Sequence, residues 1–326
     1  MKIFPTFFFF FFIMHASAQY MNTSPEEAQQ LKKRILLIVL PQEDKHYLAQ
    51  LAEENPADSS VYLEDLAGQQ YAMKKAVTEQ WKFNDSLSFC SLKEARSLLK
   101  NFPEKYAILR MEEQLQDKVY VSWHQRVAQT TSWAKHGETL YYSANKRYNL
   151  PMLGITVMVI EAPKRIIRAY LPKISPSEGD FIFAFHQMEY VLSSVIKTGE
   201  PASKLYRSDI KAGQLKNKIL LLDRRELKCT AEEIQKVYPY PFQIVEYITI
   251  EHALRTRDDR YVIIQNSRFE ASNSTYYLCN ASDGAIYYEF IEPTFGYGKI
   301  DGSNLTIQVY YPALKPGQLE QFGNLP

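Results

Sequence analysis

The second half of the chain alternates apolar runs with capped helical segments, and this alternation constrains the fold more than any other feature. Lys218–Leu222 is an apolar run of strand length, and Thr230–Glu233 has the form of a capping box that opens a helix. Phe242–Tyr247 and Tyr261–Ile264 predict two further strands, separated by a short helix that Thr249 is expected to cap. Strands of this kind, alternating with helices, indicate a parallel sheet covered by helices on both faces.

The first half of the chain repeats this order. Its predicted elements are a strand at 34–40, helices at about 43–54 and 63–80, a strand at 87–90, a helix opened by Ser91 and Glu94, and a strand at 106–109. Apolar alternation near 119–123, 140–142 and 155–160 predicts antiparallel strands. Lys33–Leu37 is similar to Asn217–Leu221, which indicates an internal duplication.

Each half therefore predicts one unit of the same class. The predicted fold is α/β, with two related βαβαβ units whose sheets are mainly parallel and are each extended by antiparallel strands. The Asp283-Gly284 pair, between two β-type segments, predicts the hairpin of the second extension. The predicted division is a signal segment at 1–18, a first unit at 19–172, a connecting helix and linker at 173–212, and a second unit at 213–326.

The connecting segment carries a helix with one continuous apolar stripe. Ser175 and Glu178 are expected to form its capping box, with Pro176 at the first helical position. The stripe consists of Phe181, Phe185, Met188, Leu192 and Val195. It predicts a core helix that packs one unit against the other. A helix that docks a partner is the alternative.

Residues 1–18 have the three parts of a cleavable secretion signal. Lys2 gives a positive start, Phe7–Met14 is an unbroken apolar run, and Ala16–Ala18 has the small-x-small pattern that signal peptidase recognises. The apolar run is far shorter than the ~20 residues of a membrane-spanning helix. We therefore predict cleavage near Ala18-Gln19 and a periplasmic or secreted protein; the alternative is a buried N-terminal strand.

The charge balance disfavours two classes of partner. The chain has 38 Lys and Arg residues and 37 Asp and Glu residues, and loss of Lys2 with the signal would leave the two numbers equal. A basic excess or stripe is typical of proteins that bind nucleic acid. A basic amphipathic helix is typical of membrane-surface binding. Neither pattern is present, so the sequence predicts no nucleic-acid partner and no binding to a membrane surface. No stretch after residue 18 is long and apolar enough to cross a bilayer, so it also predicts no membrane span.

No residue pattern predicts catalytic, metal-binding or cofactor chemistry. The histidines that follow residue 18 form no HExxH or other close pair, and no GxSxG motif occurs. The turns after Leu40 and Leu222 lack the glycine that a pyrophosphate cradle needs. Cys90, Cys229 and Cys279 allow one disulfide at most, and the sequence does not select the pair. We assign no catalytic residue, no metal ligand and no cofactor.

Topology still indicates where a ligand would bind. In open parallel sheets, ligands lie beyond the carboxyl ends of the strands. In the second unit those ends carry Asp223, Arg224, Arg225, Asn266 and Arg268, which are the candidate ligand-binding residues. In the first unit they carry Gln42, Asp44, His46, Arg110 and Glu112. Surface salt bridges would explain the same residues.

The combination of signal segment, Ile-Leu-Leu strand, Trp81-Lys82-Phe83 and Leu215–Leu221 resembles uncharacterised secreted α/β proteins of Bacteroidetes-type bacteria. The resemblance implies an extracytoplasmic location and carries no active site. The favoured hypothesis is a non-catalytic protein that binds an envelope protein or a small ligand. The alternative is an extracytoplasmic hydrolase with its site at the strand ends, and a third possibility is a structural subunit that uses the Phe181–Val195 stripe.

Overall fold

A computed structural model describes most of the chain. It covers residues 23–54, 56–115, 138–143, 154–171, 176–205, 212–270, 273–293, 297–301, 304–309 and 314–323. The predicted signal segment and the predicted strand near 119–123 lie outside these residues. No helix among the described residues has the length and apolar character needed to cross a membrane.

The described elements follow the predicted alternation. The strands are β1 (Ile35–Val39), β2 (Leu87–Phe89), β3 (Tyr106–Leu115), β4 (Glu138–Ser143), β5 (Gly154–Glu161), β6 (Arg165–Tyr170), β7 (Ile219–Asp223), β8 (Phe242–Val245), β9 (Tyr261–Glu270), β10 (Asn273–Asn280), β11 (Ile286–Pro293), β12 (Tyr297–Asp301) and β13 (Asn304–Val309). The helices are α1 (Pro25–Lys32), α2 (Lys45–Glu54), α3 (Pro56–Gln80), α4 (Leu92–Asn101), α5 (Glu178–Thr198), α6 (Ala202–Leu205), α7 (Ala231–Val237), α8 (Tyr247–Arg255) and α9 (Pro316–Gly323).

Two five-stranded sheets confirm the α/β prediction. The first has the order β2-β1-β3-β5-β6 and the second the order β8-β7-β9-β10-β11. In each sheet the first three strands run parallel to one another. The fourth strand is antiparallel to the third, and the fifth is antiparallel to the fourth. The two sheets therefore have the same strand order and the same strand directions. A third sheet, β12-β13-β4, joins a strand of the first half to two strands near the C-terminus.

One layer of helices lies between the two sheets. Its members are α1, α3, α5 and α8, and the core around them includes Leu36 and Ile38 of β1 together with Leu221 and Ile263 of the second sheet. Helix α4 covers the other face of the first sheet, and α7 and α9 cover the other face of the second. The alternation of side chains along each strand supplies apolar residues to both faces. The two sheets thus share a single central core.

The predicted stripe of α5 is buried inside this layer. Phe181, Phe185, Met188 and Leu192 are each 0% exposed. Helix α5 contacts α1, α3 and α8, which bring apolar residues from both halves of the chain. Because the stripe is fully covered within one chain, the observation that motivated a partner-docking helix and a structural subunit is removed.

Three helix starts differ from the prediction, and one of them is α3, which begins at Pro56 and not near residue 63. Ser177, not Ser175, caps α5, and its partner in the capping box is Asp180. Tyr247 belongs to α8 rather than to the preceding strand, and the N-cap is Glu246, not Thr249. The capping pattern did not predict the start of α8 because Glu246 provides no side-chain cap, so this helix begins without the usual signal.

A polar network crosses the buried middle of the molecule. His186 of α5 is 0% exposed, and its Nε2 lies 3.3 Å from Oε1 of Gln80. Arg257 donates one hydrogen bond to Gln80 O at 2.6 Å and another to Glu189 Oε2 at 2.8 Å. Arg257 also has φ +51° directly after α8, where glycine is usual. Its two buried partners explain why a long cationic side chain occupies this position.

Candidate functional site

A cleft opens where β7 and β9 separate. Their parallel ladder pairs Ile219 with Tyr261 and ends at Leu221 with Ile263, although both strands are described in full and continue further. Beyond Ile263, the pairing of β9 in the described part of the chain is with β10 on its other side. The residues that follow the last pair on each strand line the cleft.

The position of the cleft follows from the topology. The chain leaves β7 through α7 to reach β8, and leaves β8 through α8 to reach β9 on the opposite side of β7. Helices α7 and α8 pack on opposite faces of the sheet. Strands that diverge in this way define a topological switch point, and ligands of open α/β sheets bind beside it.

The cleft is small and rich in oxygen atoms. Its lining consists of Asp180, Leu221, Leu222, Asp223, Glu226, Tyr247, Ile250, Ile264, Gln265, Asn266 and Leu314. The cavity volume is about 20 Å³. Since about 10–15 Å³ is enough for one water molecule, the cleft accommodates a water-sized group rather than a whole sugar or nucleotide.

Arg225, two residues after Asp223 in the chain, holds the Asp223 carboxylate in place. Arg225 donates to both carboxylate oxygens of Asp223, through Nε at 3.1 and 3.2 Å and through Nη2 at 2.6 Å. Its backbone N–H also donates to Asp223 Oδ1 at 3.0 Å. The paired carboxylate raises the pKa of Arg225, and the guanidinium lies 5.3 Å from the centre of the Tyr247 ring. This pair therefore fixes one wall of the cleft.

Asp180 forms the second wall at the start of α5. It accepts hydrogen bonds from Ser177 N at 2.8 Å, Ser177 Oγ at 2.7 Å and the Tyr247 hydroxyl at 3.0 Å. Burial and the adjacent carboxylate raise the pKa of Tyr247 well above its usual value. Gly179 makes room for this arrangement, because a Cβ there would lie 2.7 Å from the Tyr247 hydroxyl oxygen.

Among the described lining residues, one buried oxygen atom has no hydrogen-bond partner, and it is Oδ1 of Asn266. The residue is 8% exposed, and its Oδ1 is the unpaired atom. An unpaired buried amide oxygen costs roughly 1–3 kcal/mol. A donor that enters the cleft would recover that free energy, so Asn266 marks the point at which a ligand would be bound.

The structure brings together some of the predicted residues and separates others. Asp223 and Asn266 both line the cleft, and Arg225 lies against Asp223. Alternation along the strands directs Asn266 toward the α7 and α9 face of the sheet and Asp223 toward the α5 and α8 face. Arg224 points elsewhere and forms an exposed ion pair with Glu246 at 3.2 Å. Arg268 lies on β9, and its side chain is outside the described part of the structure.

The corresponding ladder in the first unit runs further. There the β1–β3 ladder continues to Val39 with Arg110, two pairs further than the β7–β9 ladder. Arg110 is engaged with Glu112 and Glu161, and Arg165 with Glu112 at 2.7 Å. Asp44 binds the backbone N–H of His46 at 3.0 Å. These ion pairs and this hydrogen bond therefore stabilise the corresponding end of the first sheet.

Four polar lining residues were not predicted from the sequence, and one of them, Gln265, lies on β9 directly before Asn266. Glu226 follows β7 in a 3₁₀ turn, whereas Asp180 and Tyr247 come from the starts of α5 and α8. The capping signal Ser177–Asp180 was available, but it marks a helix start and gives no hint of the neighbouring strand. Only the folding of α5 beside β7 places Asp180 at this edge of the sheet.

The cysteines do not form part of the cleft. All three are free, and burial raises the pKa of each thiol above its usual value. A raised pKa makes a thiol a weaker source of thiolate, which disfavours a nucleophilic role for Cys229. In the described part of the chain, no three His, Cys, Asp or Glu side chains are arranged to hold a metal ion.

Comparisons of the chain with protein-family models, with curated proteins and with solved structures find no match.

Proposed function

We propose that this protein is a non-catalytic binding protein whose ligand enters the switch-point cleft between β7 and β9. The observation that carries the proposal is Asn266 Oδ1, a buried acceptor with no partner in the described structure. It lies beyond the end of the β7–β9 ladder, which is two pairs shorter than the β1–β3 ladder. The ligand is a small molecule or a side chain of an envelope protein.

The state of the carboxylates favours binding over hydrolysis. A hydrolase of polymers needs two carboxyl groups facing a substrate-sized cleft, or a nucleophile with an adjacent base. Here Asp223 is bound in a bidentate pair, and Asp180 accepts three hydrogen bonds from the protein. The enclosed cavity of about 20 Å³ is also water-sized and does not enclose a sugar ring.

The proposal includes export and duplication. The pattern of residues 1–18 supports cleavage near Ala18-Gln19 and an extracytoplasmic location, with no cofactor. The shared strand order supports an internal duplication of two related units. In both units the parallel ladder begins with an Ile–Tyr pair, Ile35 with Tyr106 and Ile219 with Tyr261.

Thermal unfolding against a ligand panel tests the proposal. The panel contains amines, carboxylates, sugars, nucleotides and divalent cations, and the Asn266→Leu variant is measured beside the parent protein. A ligand at about 100 times its Kd adds about 2.7 kcal/mol to the folded state. We expect at least one class to raise the midpoint of the parent protein and to lose that effect in Asn266→Leu.

Thr275→Val is the matched control for this experiment. Thr275 on β10 is 1% exposed and its hydroxyl, like Asn266 Oδ1, has no partner in the described region, but it does not line the cleft. This variant should respond to the ligand as the parent does. A panel with no effect on the parent, or an equal effect on Asn266→Leu, would contradict the proposed function.

A further inference from the structure

We propose that the group bound in the cleft is a primary ammonium, the –NH₃⁺ end of an amine ligand or of a lysine side chain. The inference rests on the proposed binding function of the same cleft and specifies its ligand class. It follows from the charge, the unpaired acceptor and the size of the cleft, and each of these is a separate observation.

The charge of the lining is negative. Asp180, Asp223 and Glu226 contribute three carboxylates, and among the described lining residues there is no lysine, arginine or histidine. Arg225 stands beside the lining and pairs with Asp223, and the charge of Glu226 also contributes to the raised pKa of Arg225. A ligand with a positive charge is favoured over an anion in such a site, and the low dielectric of a buried wall strengthens the preference.

The hydrogen-bonding pattern requires a donor. Tyr247 already donates its hydroxyl proton to Asp180, and Arg225 donates to Asp223, so both of these donors point at protein carboxylates. Asn266 Oδ1 is the acceptor left over in the described structure. An ammonium carries three N–H donors and no acceptor, which matches this arrangement.

The size of the cleft limits the choice further. The cavity of about 20 Å³ admits a water-sized group, and an –NH₃⁺ end is of that size. A guanidinium is larger and planar, and it needs a wider opening. Leu222, Ile264 and Leu314 line the cleft together with the polar groups, so an alkyl chain attached to the ammonium would meet apolar side chains.

Isothermal titration of the purified protein with methylammonium chloride, at constant ionic strength, tests the inference. Tetramethylammonium chloride is the control ligand, because it has the same charge and no N–H donor. Nα-acetyl-lysine amide and its ε-acetylated form are the second pair, and they separate a lysine side chain from a small free amine. We expect saturable binding of methylammonium and of the unmodified lysine derivative, and none of the other two.

Two substitutions of Asn266 test whether the bound group is positively charged. Asn266→Leu removes the acceptor and should weaken methylammonium binding by about tenfold or more, the loss expected for a hydrogen bond to a charged group. Asn266→Asp retains an acceptor oxygen and adds a negative charge, so it should bind methylammonium at least as tightly as the parent. Thr275→Val should leave the affinity unchanged.

Three results would overturn the inference. They are equal binding of methylammonium and tetramethylammonium, unchanged methylammonium affinity in Asn266→Leu, and weaker methylammonium binding in a folded Asn266→Asp variant. If methylammonium fails while another panel ligand, such as a carboxylate or a divalent cation, binds in an Asn266-dependent way, the ammonium assignment is wrong and the binding function stands. If no panel ligand binds in an Asn266-dependent way, the ammonium assignment and the proposed binding function are both wrong.

Discussion

Replacing Gly284 with alanine is expected to lower the free energy of unfolding by about 3–5 kcal/mol. Gly284 has φ +75° in the turn between β10 and β11, a conformation that is costly for residues with a Cβ. The added Cβ would also lie 2.6 Å from the backbone N of Gln187 and 2.8 Å from C of His186. These atoms belong to the backbone of α5, so they cannot rotate away. Chemical denaturation of the parent and the variant measures the difference.

Gly199→Ala is the matched control for this substitution. Gly199 also has a positive φ, +70°, at the end of α5, but its Cβ would meet no atom of the described structure within 4 Å. The control should cost only about 1–2 kcal/mol, the penalty of the backbone conformation alone. Equal losses in the two variants would show that the hairpin turn does not press against α5.

Acidification is expected to destabilise the protein through His186. Burial, with a further contribution from the positive charge of Arg257, lowers the pKa of His186 from 6.5 to about 3. The unfolded chain therefore binds a proton at higher pH than the folded chain does. Stability contributed by the neutral imidazole is complete above pH 6.5 and is lost as the pH falls from there toward 3. The expected loss is about 1.4 kcal/mol for each pH unit, on the order of 5 kcal/mol in total.

His186→Gln isolates this contribution, because an amide in the same place is able to donate to Gln80 and does not titrate. We expect the free energy of unfolding of this variant to fall less steeply with acid than that of the parent. Between pH 6.5 and 3, the number of protons taken up on unfolding should be smaller by one in the variant. His252→Gln, at an exposed position of α8, is the control and should follow the parent. Parallel pH profiles of the parent and His186→Gln would contradict the assigned burial.

The elements that the sequence predicted well are those with a strong local signal. Continuous apolar runs identified β1, β7 and the start of β9, and the Thr230–Glu233 capping box identified the start of α7. The Asp283-Gly284 pair identified the β10–β11 hairpin because a positive φ at this turn favours glycine. These features depend on a few neighbouring residues and are legible in a single sequence.

The features that the sequence did not predict depend on contacts between distant segments. Asp223 and Asn266 were selected from their place at the strand ends, but nothing local shows that Asp180 and Tyr247 join them. The early end of the β7–β9 ladder has no local signal either, since the apolar run of β9 extends through Ile264. The shared helical layer likewise emerges only when both sheets pack on α5.

A high-resolution crystal structure of the protein tests the central claim, that the second unit holds an open binding cleft at its switch point. The account predicts that β7 and β9 part after Leu221 and Ile263, and that a bound water, ammonium or ligand atom lies within hydrogen-bond distance of Asn266 Oδ1. A ladder that continues through Asp223 and Gln265, as the first unit continues through Val39 and Arg110, with the Asn266 amide bonded to protein atoms, would contradict it.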